Sequence, residues 1–158
     1  MTLNQRLQAE MTSAMRNQDA FRRDTLRMAV AAVRSAEKDA RRDLTDDEVV
    51  AVLAREVKRR RESVDAYENA GRPELAARER QEAELLGRFL PAPLGPDELR
   101  AMVAAAIAET GAGSPRELGR VMGALAPRIR GRADGKTVSG LVAAELTRLE
   151  LAAHDGVR

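Results

Sequence analysis

GRVMGALAPRIRGRADGKTVSGLV, residues 119–142, carries two apolar rhythms joined by a basic break. Leu118, Val121, Met122, Leu125 and Ile129 recur at three- and four-residue steps, the spacing of one face of an α-helix. Pro127 interrupts that rhythm: it has no N–H to donate, and it disfavours helical geometry at Ala126, so the helix is expected to end or kink there. The tight basic segment Arg130-Gly131-Arg132-Ala133-Asp134-Gly135-Lys136 comes next. A second helical rhythm then opens with Val138, Leu141, Val142 and Leu146. The stretch therefore reads as helix, cationic elbow, helix, and the rest of the chain extends the same pattern.

Working back from the elbow, Ser114-Pro-Arg-Glu117 has the form of a helix start with proline at the first helical position. Before it, Pro96 to Thr110 places Leu99, Met102, Val103, Ala106 and Ile107 on one face, and Gly111-Ala-Gly113 ends that helix. The segment Pro91-Ala-Pro-Leu-Gly-Pro96 holds three prolines in six residues, which no helix tolerates, and reads as a semi-rigid boundary. Upstream, residues 3–17 form a helix with Leu3, Leu7, Met11 and Met15 on one stripe behind the cap Thr2. After Asn17-Gln18-Asp19 a longer helix spans about Ala20 to Arg42, with Leu26, Val30, Val33 and Ala40 inward. Thr45-Asp-Asp-Glu48 is a capping box, and the helix it opens stops at Gly71. A fourth helix runs from Pro73 to about Leu90, anchored by Leu85, Leu86 and Phe89. The last helix fades near Leu151 and leaves His154–Arg158 as a frayed tail.

The expected fold class is all-α. Residues 1–90 form an N-terminal antiparallel bundle, or pair of hairpins, of four helices; 91–96 form the Pro-rich linker; 97–158 form a C-terminal three-helix subdomain around the elbow. A chain of 158 residues has room for one domain or two small ones. Its core draws on Ala, Leu, Val and Met, with Phe21, Tyr67 and Phe89 as the three aromatics. No apolar run approaches the length of a membrane span, and no secretory signal opens the sequence. The absence of cysteine excludes disulfides, thiolate metal sites and a cysteine nucleophile, and suits a reducing cytoplasm. Lys and Arg exceed Asp and Glu by only 27 to 25, so the molecule is not globally basic and any cationic site must be local.

The GRADGK elbow, Gly131–Lys136, preceded by GRVMGAL, Gly119–Leu125, resembles the signature of the GatB/YqeY family. Supporting marks are the LRM of Leu26–Met28, the AGR of Ala70–Arg72 and the LPAPL of Leu90–Leu94, so the similarity covers most of the chain. The resemblance implies a small free-standing helical protein. It also implies kinship with the tail of the B subunit of the tRNA-dependent amidotransferases that make Gln-tRNA and Asn-tRNA, a tail understood to contact tRNA. The function it implies is that of a non-catalytic accessory, cytoplasmic and needing no cofactor, whose partner is structured RNA, foremost tRNA. The competing expectation is a helical docking module for an aminoacyl-tRNA synthetase or an amidotransferase subunit, and an autonomous amidotransferase ranks last. The family-level label of carbon–nitrogen ligase with glutamine as amido-N-donor belongs to the larger enzyme, whose nucleophile, metal and ATP sites lie in parts this chain lacks.

Around the elbow, Arg128, Arg130, Arg132 and Lys136 are the candidate nucleic-acid contacts, and the start of the last helix adds partial positive charge. From Arg116 to Lys136 six basic residues face Glu117 and Asp134, a surplus of four. The structural alternative is that Gly131 and Gly135 allow a tight turn, Asp134 caps the last helix, and the arginines are solvated. Gly131 to Thr137 approaches a nucleotide-binding loop, but it has three residues between its glycines where the motif needs four, and a helix precedes it. Lys58-Arg59-Arg60-Arg61 is a weaker patch: four consecutive helical residues spread around the axis, and acids at i,i+4 offset them. Arg60 nevertheless falls in the apolar seam of Val50, Leu53, Val57, Val64 and Tyr67, and is expected to snorkel to solvent rather than pair with a buried acid or mark a seam open to a partner. No catalytic or metal-binding constellation is expected, His154 included.

Overall fold

Local signals set the helix starts in the computed structural model, which describes residues 1–157. Thr2 and Thr45 each cap a helix reciprocally with the side chain three residues on, Gln5 and Glu48, and so satisfy N–H groups that the first turn leaves without partners. Asp19 caps the second helix by accepting from the Arg22 N–H at 3.1 Å. The resulting elements are α1 (Leu3–Arg16), α2 (Ala20–Ala40), α3 (Asp46–Asn69), α4 (Pro73–Gly87), α5 (Pro96–Thr110), α6 (Leu118–Ile129) and α7 (Gly135–Asp155). A single 3-10 turn, Pro115–Glu117, precedes α6. No strand occurs among the described residues, so the fold is all-α.

The chain divides into two compact units, the first ending at Pro91 and the second beginning at Ala92. In the first, α1 and α2 pack as one hairpin and α3 and α4 as another, with α2 contacting both helices of the second hairpin. Cross-helix pairs show the antiparallel sense: Glu10–Arg22 near one end of the first hairpin and Asn4–Glu37 near the other. Gly71, at φ +70°, makes the turn between α3 and α4 where an L side chain would be strained. The core is built by Leu7, Leu26, Val33, Leu53 and Leu86, all fully buried. In the second unit α5, α6 and α7 pack on one another around Val121, Leu125, Val138, Val142 and Leu146.

Five local expectations differ from this arrangement. On α1 Ala14, not Met15, faces inward, and Met15 is 51 % exposed. Ala40 is exposed at the last turn of α2. The α6 helix continues two residues past Pro127, because Ile129 is buried against the second core and rewards the extension. The α7 helix holds to Asp155, four residues beyond Leu151, with its last turn exposed; the remainder of the expected tail ends in Arg158, outside the described residues.

Arg60 is the fifth. It does not snorkel: the residue is 6 % exposed and lies between α3 and α4. Its Nε donates to Glu82 Oε2 at 3.1 Å, and its Nη1 donates to Glu56 Oε2 at 2.9 Å and to the Glu56 carbonyl at 3.1 Å. Glu82 is equally buried and also meets Arg78 at 3.5 Å. Burial, reinforced by the charge of Glu82, pushes the nearby Glu79 carboxyl above its ordinary range. Burying a guanidinium is tolerated here because carboxylates satisfy it from both sides.

Candidate functional site

The elbow is built by what α6 cannot continue and α7 must start. After Ile129, Gly131 takes φ +71°, a left-handed conformation that a residue with a Cβ adopts at a cost. The chain then folds back so that the N–H groups of Arg132 and Ala133 both donate to the Ile129 carbonyl, at 2.8 and 3.1 Å. Ala133 packs on the core of the second unit. Asp134 is the N-cap of α7: its Oδ2 accepts from the Thr137 N–H at 3.2 Å and from the Thr137 hydroxyl at 3.1 Å. Gly135 is the first residue of α7, and a Cβ there would meet nothing within 4 Å, so the turn itself depends on Gly131.

The four elbow cations separate into two pairs. Arg128 reaches across to α5 and meets Glu109 at 3.0 Å. Arg132 donates from Nε to the Ala92 carbonyl at 3.0 Å and meets Glu98 at 3.4 Å, while its own carbonyl accepts from the Leu94 N–H at 2.9 Å. It thereby ties the Pro-rich segment to the elbow, so that part of this segment is anchored to the second unit. Arg130 and Lys136, by contrast, are exposed and have no ion pair or side-chain hydrogen bond among the described residues. Tertiary pairing also lowers the local charge. Setting Glu109 and Glu98 beside Glu117 and Asp134 against the six basic residues leaves a surplus of two. The capping carboxylate further covers one of the N–H groups at the α7 start that an external anion would use.

Elsewhere, Arg120 is held by the Thr110 carbonyl and by Glu117. The Glu117 carboxyl is lowered by the N–H of Gly113, with smaller help from the N–H of Ser114 and the charge of Arg120. Of the cations around the elbow, Arg116 is also exposed without a partner among the described residues. A hollow of about 470 Å³ between α3 and α4 is lined by Arg61, Val64, Asp65, Arg80, Ala83 and Glu84, which are mixed charges without a nucleophile beside a base. No group of three or more His, Cys, Asp or Glu among the described residues is arranged to hold a metal ion. His154 sits exposed in the last turn of α7.

One charged feature escaped the sequence reading. Arg27, Arg34 and Lys38 share an exposed face of α2, and the i, i+7, i+11 spacing that places them there was present in the sequence. Attention to consecutive basic runs hides such periodic ones.

Comparison with known proteins finds similarity over most of the chain. The sequence is 30% identical over 138 residues to altered inheritance of mitochondria protein 41, mitochondrial, of Pyrenophora tritici-repentis, an alignment covering 85% of this chain and 75% of that protein. It is 25% identical over 85 residues to an uncharacterized protein of Schizosaccharomyces pombe, covering 54% of this chain and 69% of that one. The family described as Yqey-like protein matches residues 4–146, from the first turn of α1 into α7 and through the elbow. With most of both helical units and the whole GRADGK elbow inside that match, the chain belongs to the family of Yqey-like proteins.

Proposed function

We propose that the protein is a non-catalytic accessory that binds structured RNA, tRNA foremost, through the elbow of its second unit. The observation that carries this reading is the pair Arg130 and Lys136, exposed and without ion-pair partners on either side of a rigid turn. Cations held off from internal acids are the ones available to neutralise phosphates. Arg128 and Arg132 have internal partners and join the contact only by exchanging them. The kinship of the Yqey-like family with the tail of the amidotransferase B subunit supports tRNA as the RNA. With three aromatics in the chain, stacking on splayed single strands has few platforms, and phosphate and shape recognition fits better.

We place this activity in the cytoplasm. The name of the Pyrenophora relative locates that protein in mitochondria. No helix of the described residues is long and apolar enough to cross a membrane.

The test is equilibrium binding of unfractionated tRNA to the full chain across a salt series. Arg130→Gln with Lys136→Gln should make the log–log salt slope shallower by about one to two units, one per contact removed. The loss should be similar for different tRNAs, since phosphate contacts carry no sequence information. Absence of salt-sensitive RNA binding by the wild type would overturn the reading in favour of docking on a synthetase or amidotransferase subunit.

A further inference from the structure

The α2 helix carries a row of cations with no structural work assigned to it. Taking about 100° per residue, Arg23, Arg27, Arg34 and Lys38 fall within roughly 60° of one another around the helix axis. Within an arc of about 80° the remaining residues are Ala20 and Ala31, and no carboxylate enters it. The row is about 22 Å long at 1.5 Å per residue, and Arg41 continues it at the C-cap.

One neighbouring acid, Asp24, meets the first cation of the row, Arg23, and the others are engaged elsewhere. Asp24 pairs with Arg23 at 2.8 Å and Glu10 of α1 with Arg22 at 2.8 Å. Glu37 accepts from Asn4 at 3.1 Å and from the Leu44 N–H at 3.3 Å, and Asp39 projects about 100° away from Lys38. Arg27, Arg34, Lys38 and Arg41 are exposed and have no ion pair or side-chain hydrogen bond among the described residues.

Such a row costs stability. Like charges at i,i+4, Arg23 with Arg27 and Arg34 with Lys38, repel by a few tenths of a kcal/mol per pair. The basic run on α3 differs, because Glu56 meets both Arg59 and Arg60. We infer that the α2 row is a second polyanion surface, on the first unit, which lies along the phosphate backbone of double-helical RNA. Each strand of a B-form duplex carries about one phosphate per 3.4 Å of helix axis, so a row about 22 Å long lies within reach of several phosphates. Three of the four basic side chains in the arc are arginines, whose planar forks meet phosphate oxygens two at a time. A bilayer is a poorer match, since the arc holds no large apolar side chain to insert beside the charges. This surface shares with the elbow only its class of ligand.

The experiment uses the full chain in three forms: Arg27→Gln/Arg34→Gln/Lys38→Gln, Arg130→Gln/Lys136→Gln, and a bulk-charge control Arg55→Gln/Arg61→Gln/Arg88→Gln. Each is titrated with a short RNA duplex, with unfractionated tRNA and with phosphatidylserine-containing vesicles across a salt series, after circular dichroism has verified equal helicity. The α2 triple should make the salt slope for duplex RNA shallower by about two to three units, while the control triple changes it by less than about one. An α2 loss without an elbow loss supports this surface and overturns the elbow reading; an elbow loss without an α2 loss does the reverse. Equal losses from the α2 and control triples mean bulk charge and overturn the inference. So does a wild type that binds the vesicles but no RNA.

Discussion

The buried ion group between α3 and α4 is the feature of the fold whose removal has the most calculable outcome. In Arg60→Leu, Glu82 keeps only Arg78, at 3.5 Å with a side chain 64% exposed, and Glu56 keeps Arg59, at 3.6 Å and 74% exposed. Both replacements are solvent-screened and contribute under about 1 kcal/mol. Stranding a buried carboxylate by removing its partner costs about 3 to 5 kcal/mol; the lower end applies here because Glu56 is only partly buried. A loss of about 3 kcal/mol lowers the melting temperature of a unit of this size by roughly 12–24 °C. The double variant Arg60→Leu/Glu82→Leu removes charge and counter-charge together, and should return to within about 1 kcal/mol of the wild type. The assay is urea unfolding followed by fluorescence of Tyr67, the sole tyrosine in a chain without tryptophan. That residue lies on α3 and so reports the first unit. A cost below about 1 kcal/mol for Arg60→Leu, or a double variant as unstable as the sum of its singles, would refute this reasoning.

Three further outcomes are expected. The Glu48 carboxyl, held down to about 2 by the side chain of Arg42 and then by the Thr45 N–H, is depressed below its unfolded value. Its contribution is therefore present above about pH 4 and lost as the pH falls toward 2; carboxyl-detected NMR titration should show this, and Arg42→Gln should bring Glu48 back toward the ordinary range. Arg132→Gln should destabilise the second unit by about 1 kcal/mol, discounted for its partial exposure, whereas Arg130→Gln should leave its melting temperature unchanged. Asp134→Asn keeps a capping oxygen and should cost little, while Asp134→Ala should cost about 1 kcal/mol by the same melting measurement.

The sequence by itself determined the helices and most of their ends. Capping at Thr2, Thr45 and Asp134, and the glycine turn at Gly71, act over three or four residues through the chain's own N–H groups, so neighbours in sequence suffice to reveal them. The family signature at the elbow was legible for the same reason: its residues are contiguous. Only the tertiary structure decided which charges are available. Arg60 meets Glu82, 22 residues away and on another helix, and Arg132 meets the Ala92 carbonyl 40 residues away. Helical periodicity marks a residue as facing inward or outward, but it cannot supply the partner that makes a buried guanidinium tolerable. Nor can it separate Arg128, which meets Glu109, from Arg130, two residues along and without such a partner. Pairing depends on which helices pack together and at what height. That is set by the cores around Leu53 and Leu86 in one unit and Leu125 and Val142 in the other, through burial summed over the whole interface rather than by any one motif.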